Sequence, residues 1–267
     1  MSVFDGHETD GWQQYMTFGV LPKLLEMQTD QEKADYLKGI FEATCIRDIV
    51  DRNDVRNRAE MEELLDVVAS SIGGLTNPKK LSDTFKSVKG VTIHPDTVKS
   101  YLDYLEDSFL ISKARRYDVK GKRYINTPMK YYFSDCGLRN ARLGFRQIEE
   151  IHLMKNIIYN ELCRRGYSVD VGCVEDVFTC ENGKRTQKQL EIDFICNMGS
   201  KRMYIQSALA LPTLEKVRQE QRSLLKVNDS FCKMIIVKDG ISHYNDDGVL
   251  ILRLFDFLLG RTEEAII

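Results

Sequence analysis

The apolar residues of this chain recur in steps of three and four through its first hundred or so positions, then fall into short β-rich runs. That change of period bounds the fold. Over 31–52 the apolar positions are Ala34, Leu37, Ile40, Phe41, Cys45, Ile46 and Ile49; over 58–72 they include Met61, Leu64, Leu65, Val68 and Ala69. Such spacing predicts amphipathic helices. Gly73-Gly74 ends the second of them. A shorter helix is expected from Trp12 towards Leu25, interrupted by Gly19 and Pro22, and another after Pro78. His94-Pro95-Asp96 opens a further helix with Val98, Tyr101, Leu102, Leu105 and Phe109 on one stripe. Leu110–Val119 and Arg123–Ile125 flank Lys120-Gly121-Lys122 and read as a hairpin, with a further strand at Lys130–Phe133.

From about 145 the texture changes. Gln147–Arg165 is helical in pattern, with Ile151, Met154, Ile158 and Leu162 on one face. Strands are expected at Tyr167–Val174, Leu190–Cys196, Met203–Leu209, Met234–Val237 and Val249–Leu252, with a turn at Asn182-Gly183 and a helix at Leu214–Leu225. The fold class is therefore α+β: a winged helix-turn-helix followed by a small α/β domain. Residues 1–28 form a lead-in, 29–142 the winged helix and 143–262 the α/β domain.

Several functions drop out. No apolar run reaches the ~18 residues needed to cross a bilayer, and the start of the sequence lacks a basic segment followed by an apolar one, so no membrane association and a cytoplasmic location are expected. The seven cysteines form no CxxC pair and the four histidines have no metal spacing. The nearest approach to a phosphate loop, Gly73 to Lys80, lacks the glycine before lysine and carries Pro78. No cofactor or metal is expected.

Two features carry chemistry. The first is Glu191-Ile192-Asp193-Phe194, followed by Gln206 and Ala208. Acidic residues on one strand and a polar-x-basic triplet on the next resemble the PD-(D/E)XK nucleases, where two carboxylates hold Mg²⁺ and a lysine supports the attacking water. Here Gln206 stands for the second carboxylate and Ala208 for the lysine. Asp193 remains, with Glu191 expected on the same strand face, so the set reads as degenerate; a residual Mg²⁺-dependent nuclease using Glu191 and Asp193 is the enzyme alternative. The second feature is charge. The chain has a net charge of -2, yet residues 77–130 hold 12 basic and 6 acidic residues. Lys113, Arg115, Arg116, Lys120, Lys122, Arg123 and Lys130 crowd the hairpin and its exit, with Tyr117 and Tyr124 among them. Such a wing suits the phosphate backbone of double-stranded DNA, while Thr97, Lys99 and Ser100 would face the groove.

Several stretches together resemble the C-terminal region of the bacterial and archaeal AAA-type "ATP-binding protein" family, which ends in a domain of unknown function. They are Tyr15–Pro22, Thr44–Ile49, Thr97–Leu102, Lys130–Arg139, Glu161–Tyr167 and Glu191–Phe194. The resemblance implies a winged helix and a restriction-endonuclease-like domain behind a P-loop module, which this sequence lacks. It makes 1–28 a remnant of the ATPase exit, and aligns Lys155 with the first nuclease acid, a third changed position beside Gln206 and Ala208. The expected function is non-catalytic binding of DNA or of a partner, the partner being a P-loop ATPase module or another protein; a protein-interaction module is the remaining alternative.

Overall fold

The computed structural model describes residues 8–146, 148–179 and 185–261. Among these, the chain falls into two compact units. One comprises 8–113 and 127–157, the other 114–126 and 158–261.

The first unit is mainly helical. It begins with α1 (Glu8–Phe18), a 3-10 turn at Pro22–Glu26, and α2 (Asp30–Ile40). A π-helical stretch, Phe41–Ile46, leads into α3 (Arg47–Arg52), then come α4 (Arg58–Ser70), α5 (Pro78–Lys89) and α6 (Pro95–Asp107). The starts follow from local chemistry. Thr29 caps α2 in a full capping box with Glu32, while Asn57 caps α4 and Asn77 caps α5, each accepting a backbone N–H three residues on. Such caps contribute about 1 kcal/mol each. The stripes read from the sequence bury Leu37, Phe41, Ile49, Leu64, Val98 and Leu105 in one core.

Phe109 departs from its expected place on the α6 stripe. The helix ends at Asp107; Phe109 takes φ +59° and is 83% exposed. The N–H of Leu110 reaches back to the carbonyl of Leu105 at 3.1 Å, so Leu110 tucks into the core and Phe109 is turned outward.

Strands β1 (Ile111–Asp118) and β2 (Arg123–Phe133) follow, then α7 (Cys136–Arg142) and α8 (Glu150–Arg164). The second unit contains the hairpin tip, 114–126, together with β3 (Ser168–Thr179), β4 (Arg185–Met198), β5 (Lys201–Ala208), α9 (Leu214–Leu225), β6 (Cys232–Val237), β7 (His243–Tyr244), β8 (Leu250–Arg253) and α10 (Leu254–Leu258). The expected Asn182-Gly183 turn lies outside the described residues. The strands form one mixed sheet in the order β2-β1-β3-β4-β5-β6-β8-β7. β5 and β6 are parallel, joined through α9, and β6 and β8 are also parallel. Val174, Ile192, Tyr204, Leu224 and Ile235 lie in the core beneath α9.

The hairpin is not a free wing. Arg116, Tyr117 and Asp118 pair in parallel with Val171, Gly172 and Cys173. Its tip therefore belongs to the second unit, whereas the sequence reading assigned it to the segment 29–142. Backbone N–H and C=O groups on an open strand edge are satisfied by the nearest compatible strand, and β3 supplies it.

Candidate functional site

Strands β4 and β5 separate at the nuclease-like residues. Their ladder runs from Met198 opposite Lys201 to Phe194 opposite Ile205. Against β3, Ile192 pairs with Gly172 and Ile195 with Asp170, so Val171 alone stands opposite Asp193 and Phe194. This is a β-bulge. Ile192 and Ile195 consequently share one core although three positions apart. The bulge shifts the period-2 alternation between Ile192 and Ile195.

Asp193 is 4% exposed, and its Oδ2 accepts from the Ser207 N–H at 3.1 Å and the Ser207 hydroxyl at 2.8 Å. Gln206 Oε1 accepts from the Asp193 N–H at 2.7 Å, and its Nε2 donates to the Glu191 carbonyl at 3.4 Å. The amide, which both donates and accepts, thus stands in for the missing ladder bonds. Ala208 is buried in the core with Tyr204 and Leu224. Glu191 is half-buried, and Lys155, also half-buried, lies on α8 in the portion belonging to the first unit. No group of three or more His, Cys, Asp or Glu suited to a metal occurs among the described residues. The arrangement is a hydrogen-bonded staple between two diverging strands. Asp193→Ala should cost about 1–3 kcal/mol in urea denaturation, because two buried donors of Ser207 lose their acceptor. It should leave Mg²⁺-dependent plasmid cleavage at the wild-type background; a fall in cleavage would make the site catalytic.

On the hairpin, Arg115, Lys120, Lys122 and Arg123 are exposed. Arg123 Nε lies 3.6 Å from Asp118 Oδ2, and Asp118 Oδ1 accepts the Gly121 N–H at 2.9 Å, which shapes the turn. The remaining cations are committed. Arg116 Nη2 donates to Gln189 Oε1 and Cys173 Sγ, both at 3.2 Å. Lys113 pairs with Glu106 at 2.6 Å. Lys130, grouped with the exposed cations in the sequence reading, is 3% exposed. The Tyr124 hydroxyl donates to Asp170 Oδ2 at 2.9 Å. Burial raises the Asp170 carboxyl, opposed by the Tyr124 hydroxyl and the Arg115 charge. Tyr124 is itself raised, by burial first and then by its bond to Asp170.

The expected reading helix is less suited to phosphate. On α6, Lys99 is exposed while Thr97 and Ser100 are half-buried, and the Ser100 hydroxyl donates to the Asp96 carbonyl at 3.1 Å. The same helix carries Asp96, Asp103, Glu106 and Asp107 against that single lysine, so its own charge opposes approach to a polyanion.

Residues 9–149 match the model of a family described as a domain of unknown function, DUF8612. The chain belongs to this family. A Haemophilus influenzae protein described as uncharacterized is 32% identical over 248 residues, covering 93% of this chain and 58% of that protein. The uncharacterized protein MJ1544 of Methanocaldococcus jannaschii is 25% identical over 235 residues, 88% of this chain and 49% of its own length. The DUF8612 chain thus spans 58% and 49% of the lengths of these two relatives. A crystal structure of protein VC1899 from Vibrio cholerae aligns at 12% identity with a TM-score of 0.27, over 78% of this chain and 56% of that one. Among the described residues, no helix is long and apolar enough to cross a membrane.

Within the DUF8612 match, two of the stretches singled out in the sequence meet. Asp135 Oδ2 accepts the Val20 N–H at 2.8 Å, and its Oδ1 accepts the Leu138 N–H at 2.9 Å. Burial raises the Asp135 carboxyl, and these backbone donors oppose the shift. Asn140 Nδ2 donates to the carbonyls of Met16 at 2.7 Å and Thr17 at 2.9 Å, closing the end of α1. Asn156 Oδ1 accepts from the Phe133 N–H and its Nδ2 donates to the Phe133 carbonyl, both at 2.7 Å. These buried polar groups secure the scaffold. Asp170, the partner of Tyr124 that the sequence reading missed, lies in a separate segment on β3, and no linear spacing ties it to the hairpin.

Proposed function

We propose that this DUF8612 chain binds nucleic acid without cleaving it, through the hairpin edge of its second unit. The observation that carries the reading is the exposed set Arg115, Lys120, Lys122 and Arg123 on strands that continue the sheet, a stiff basic rim of the kind that tracks a phosphate backbone. The staple around Asp193 supports the non-catalytic half: its carboxylate is engaged by Ser207 and no second carboxylate stands at 206. In this reading the α/β unit is a restriction-endonuclease-like domain that has kept its sheet and lost its chemistry, the helices before it derive from a winged helix, and the protein works in the cytoplasm without a cofactor. Thr97, Lys99 and Ser100 then make at most a minor contribution, given the acids beside them.

The resemblance to AAA-type ATP-binding proteins adds a partner, a P-loop ATPase module. The first unit offers it an apolar surface on α1 and the following turn, lined by Tyr15, Phe18, Leu21 and Leu24, with Val20 and Leu25 57% and 65% exposed.

Fluorescence anisotropy with labelled oligonucleotides at about 50 and about 200 mM salt tests the binding. Replacing Arg115, Lys120, Lys122 and Arg123 together by alanine should weaken it by about two orders of magnitude at the lower salt and flatten the salt dependence by about 3 in log–log slope. No binding at the lower salt, or binding indifferent to the four substitutions, overturns the reading.

A further inference from the structure

Within the second unit, cations and aromatic rings alternate in a row that no linear motif announces. The Arg115 guanidinium sits 3.9 Å from the Tyr124 ring centroid. Tyr124 meets Tyr117 edge-on, with centroids 5.3 Å apart and an interplanar angle of 69°. The Arg202 guanidinium lies 5.8 Å from the Tyr117 centroid and 5.6 Å from that of Phe231. The row therefore runs from the hairpin, Arg115–Tyr124–Tyr117, through Arg202 of β5 to Phe231, the residue before β6.

Two properties set this row apart from an ordinary core margin. Its ends stay open: Tyr124 is 45% and Phe231 40% exposed, Arg115 is exposed, and Arg115 enters no ion pair among the described residues. Its planes are also fixed before any ligand arrives. The Tyr124 hydroxyl is held by Asp170, and Arg202 Nε donates to Asn197 Oδ1 at 2.7 Å. Gly172, on the strand beside Tyr117, has no room for a side chain, since a Cβ there would lie 2.7 Å from Ile192 Cβ. The sheet is thus closely packed below the rings.

We infer that this row is a platform for single-stranded nucleic acid, an inference that rests on the nucleic-acid reading above and narrows its ligand. Exposed rings and guanidinium planes take the faces of unpaired bases, and every base has such a face. A duplex keeps those faces inside its own stack and offers only phosphates and groove edges. Unpaired bases stack on Phe231 and on the Arg115–Tyr124 pair, while the phosphates meet Arg115, Lys120 and Lys122. Hairpin charge supplies attraction, and the rings supply the preference for an unpaired strand.

The experiment is a pair of anisotropy titrations on the full chain, with a labelled oligothymidylate of about 15 nucleotides and a duplex of the same length. The single strand should bind at least about tenfold tighter. Phe231→Ala removes an exposed ring and no charge. It should weaken single-strand binding by about 5- to 100-fold, with the salt slope unchanged and duplex binding unaffected. A duplex bound as tightly as the single strand, or single-strand binding indifferent to Phe231→Ala, overturns the inference while leaving the hairpin reading in place. Failure of both ligands to bind at low salt removes both.

Discussion

Ala208→Lys should unfold the second unit rather than restore a nuclease. Ala208 is 5% exposed and packs with Val174, Ile192, Tyr204 and Leu224. A lysine there must force three further methylenes into an occupied core, at about 1–3 kcal/mol, and must place an ammonium among its apolar side chains. Removing one unpaired charge from water costs several kcal/mol more. The expected loss is about 4 kcal/mol or greater, among the larger effects of any single substitution. Urea denaturation followed by circular dichroism measures it, and a plasmid assay with Mg²⁺ on the same preparation should stay at background. A variant as stable as wild type that cleaves DNA would mean that position 208 faces a working active site.

Gly137→Ala should be as damaging in the first unit, for a steric reason. A Cβ at 137 would lie 1.9 Å from the Phe18 carbonyl oxygen and 2.4 Å from its carbon. Both are backbone atoms at the end of α1, so no rotamer relieves the overlap and α1 must move away from α7. That movement breaks the Asn140 bonds to Met16 and Thr17 and the Asp135 bond to Val20. The adjoining Gly19 has no slack to give: its φ is +77°, and a Cβ there would lie 2.2 Å from Asp135 Oδ1. A loss of about 4 kcal/mol is expected, read as a fall of roughly 10 °C in the midpoint of the first unit's thermal transition. A shift within about 2 °C would show that this contact between α1 and α7 tolerates a methyl group.

Much of the scaffold was legible because it is local. Helix spacing, Pro78 and Pro95 all act within one or two turns, and the expected helices stand close to where the pattern put them. The β-rich runs at Met203, Met234 and Val249 were equally readable from composition. What escaped was non-local or broke a period. Nothing near Arg116 announces a parallel partner about 55 residues later in β3. The bulge at Asp193 adds a residue to one strand only, so counting by twos fails there. Phe109 fits the α6 stripe by spacing, yet the chain turns left-handed one residue after the helix cap. Lys130 reads as one more exposed cation because burial depends on neighbours far along the chain.

The candidate site divides in the same way. Asp193, Gln206 and Ala208 stood out in the sequence by their resemblance to a nuclease pattern, but the role of Ser207 as the partner of Asp193 depends on how β4 and β5 diverge. The hairpin cations were visible as a charge cluster. Their alignment with Arg202 and Phe231 depends on strand order, which sequence spacing does not encode.

Photo-crosslinking tests the nucleic-acid reading most directly, because it reports where a ligand lies as well as whether it binds. An oligonucleotide carrying a photoreactive pyrimidine is bound to the full chain at low salt, irradiated, and the modified peptides are identified by mass spectrometry. Crosslinks should map to Tyr124 and Phe231, and should be lost when Arg115, Lys120, Lys122 and Arg123 are replaced by alanine. Crosslinks concentrated on α6 around Lys99, or none above an irradiated control protein, would contradict it.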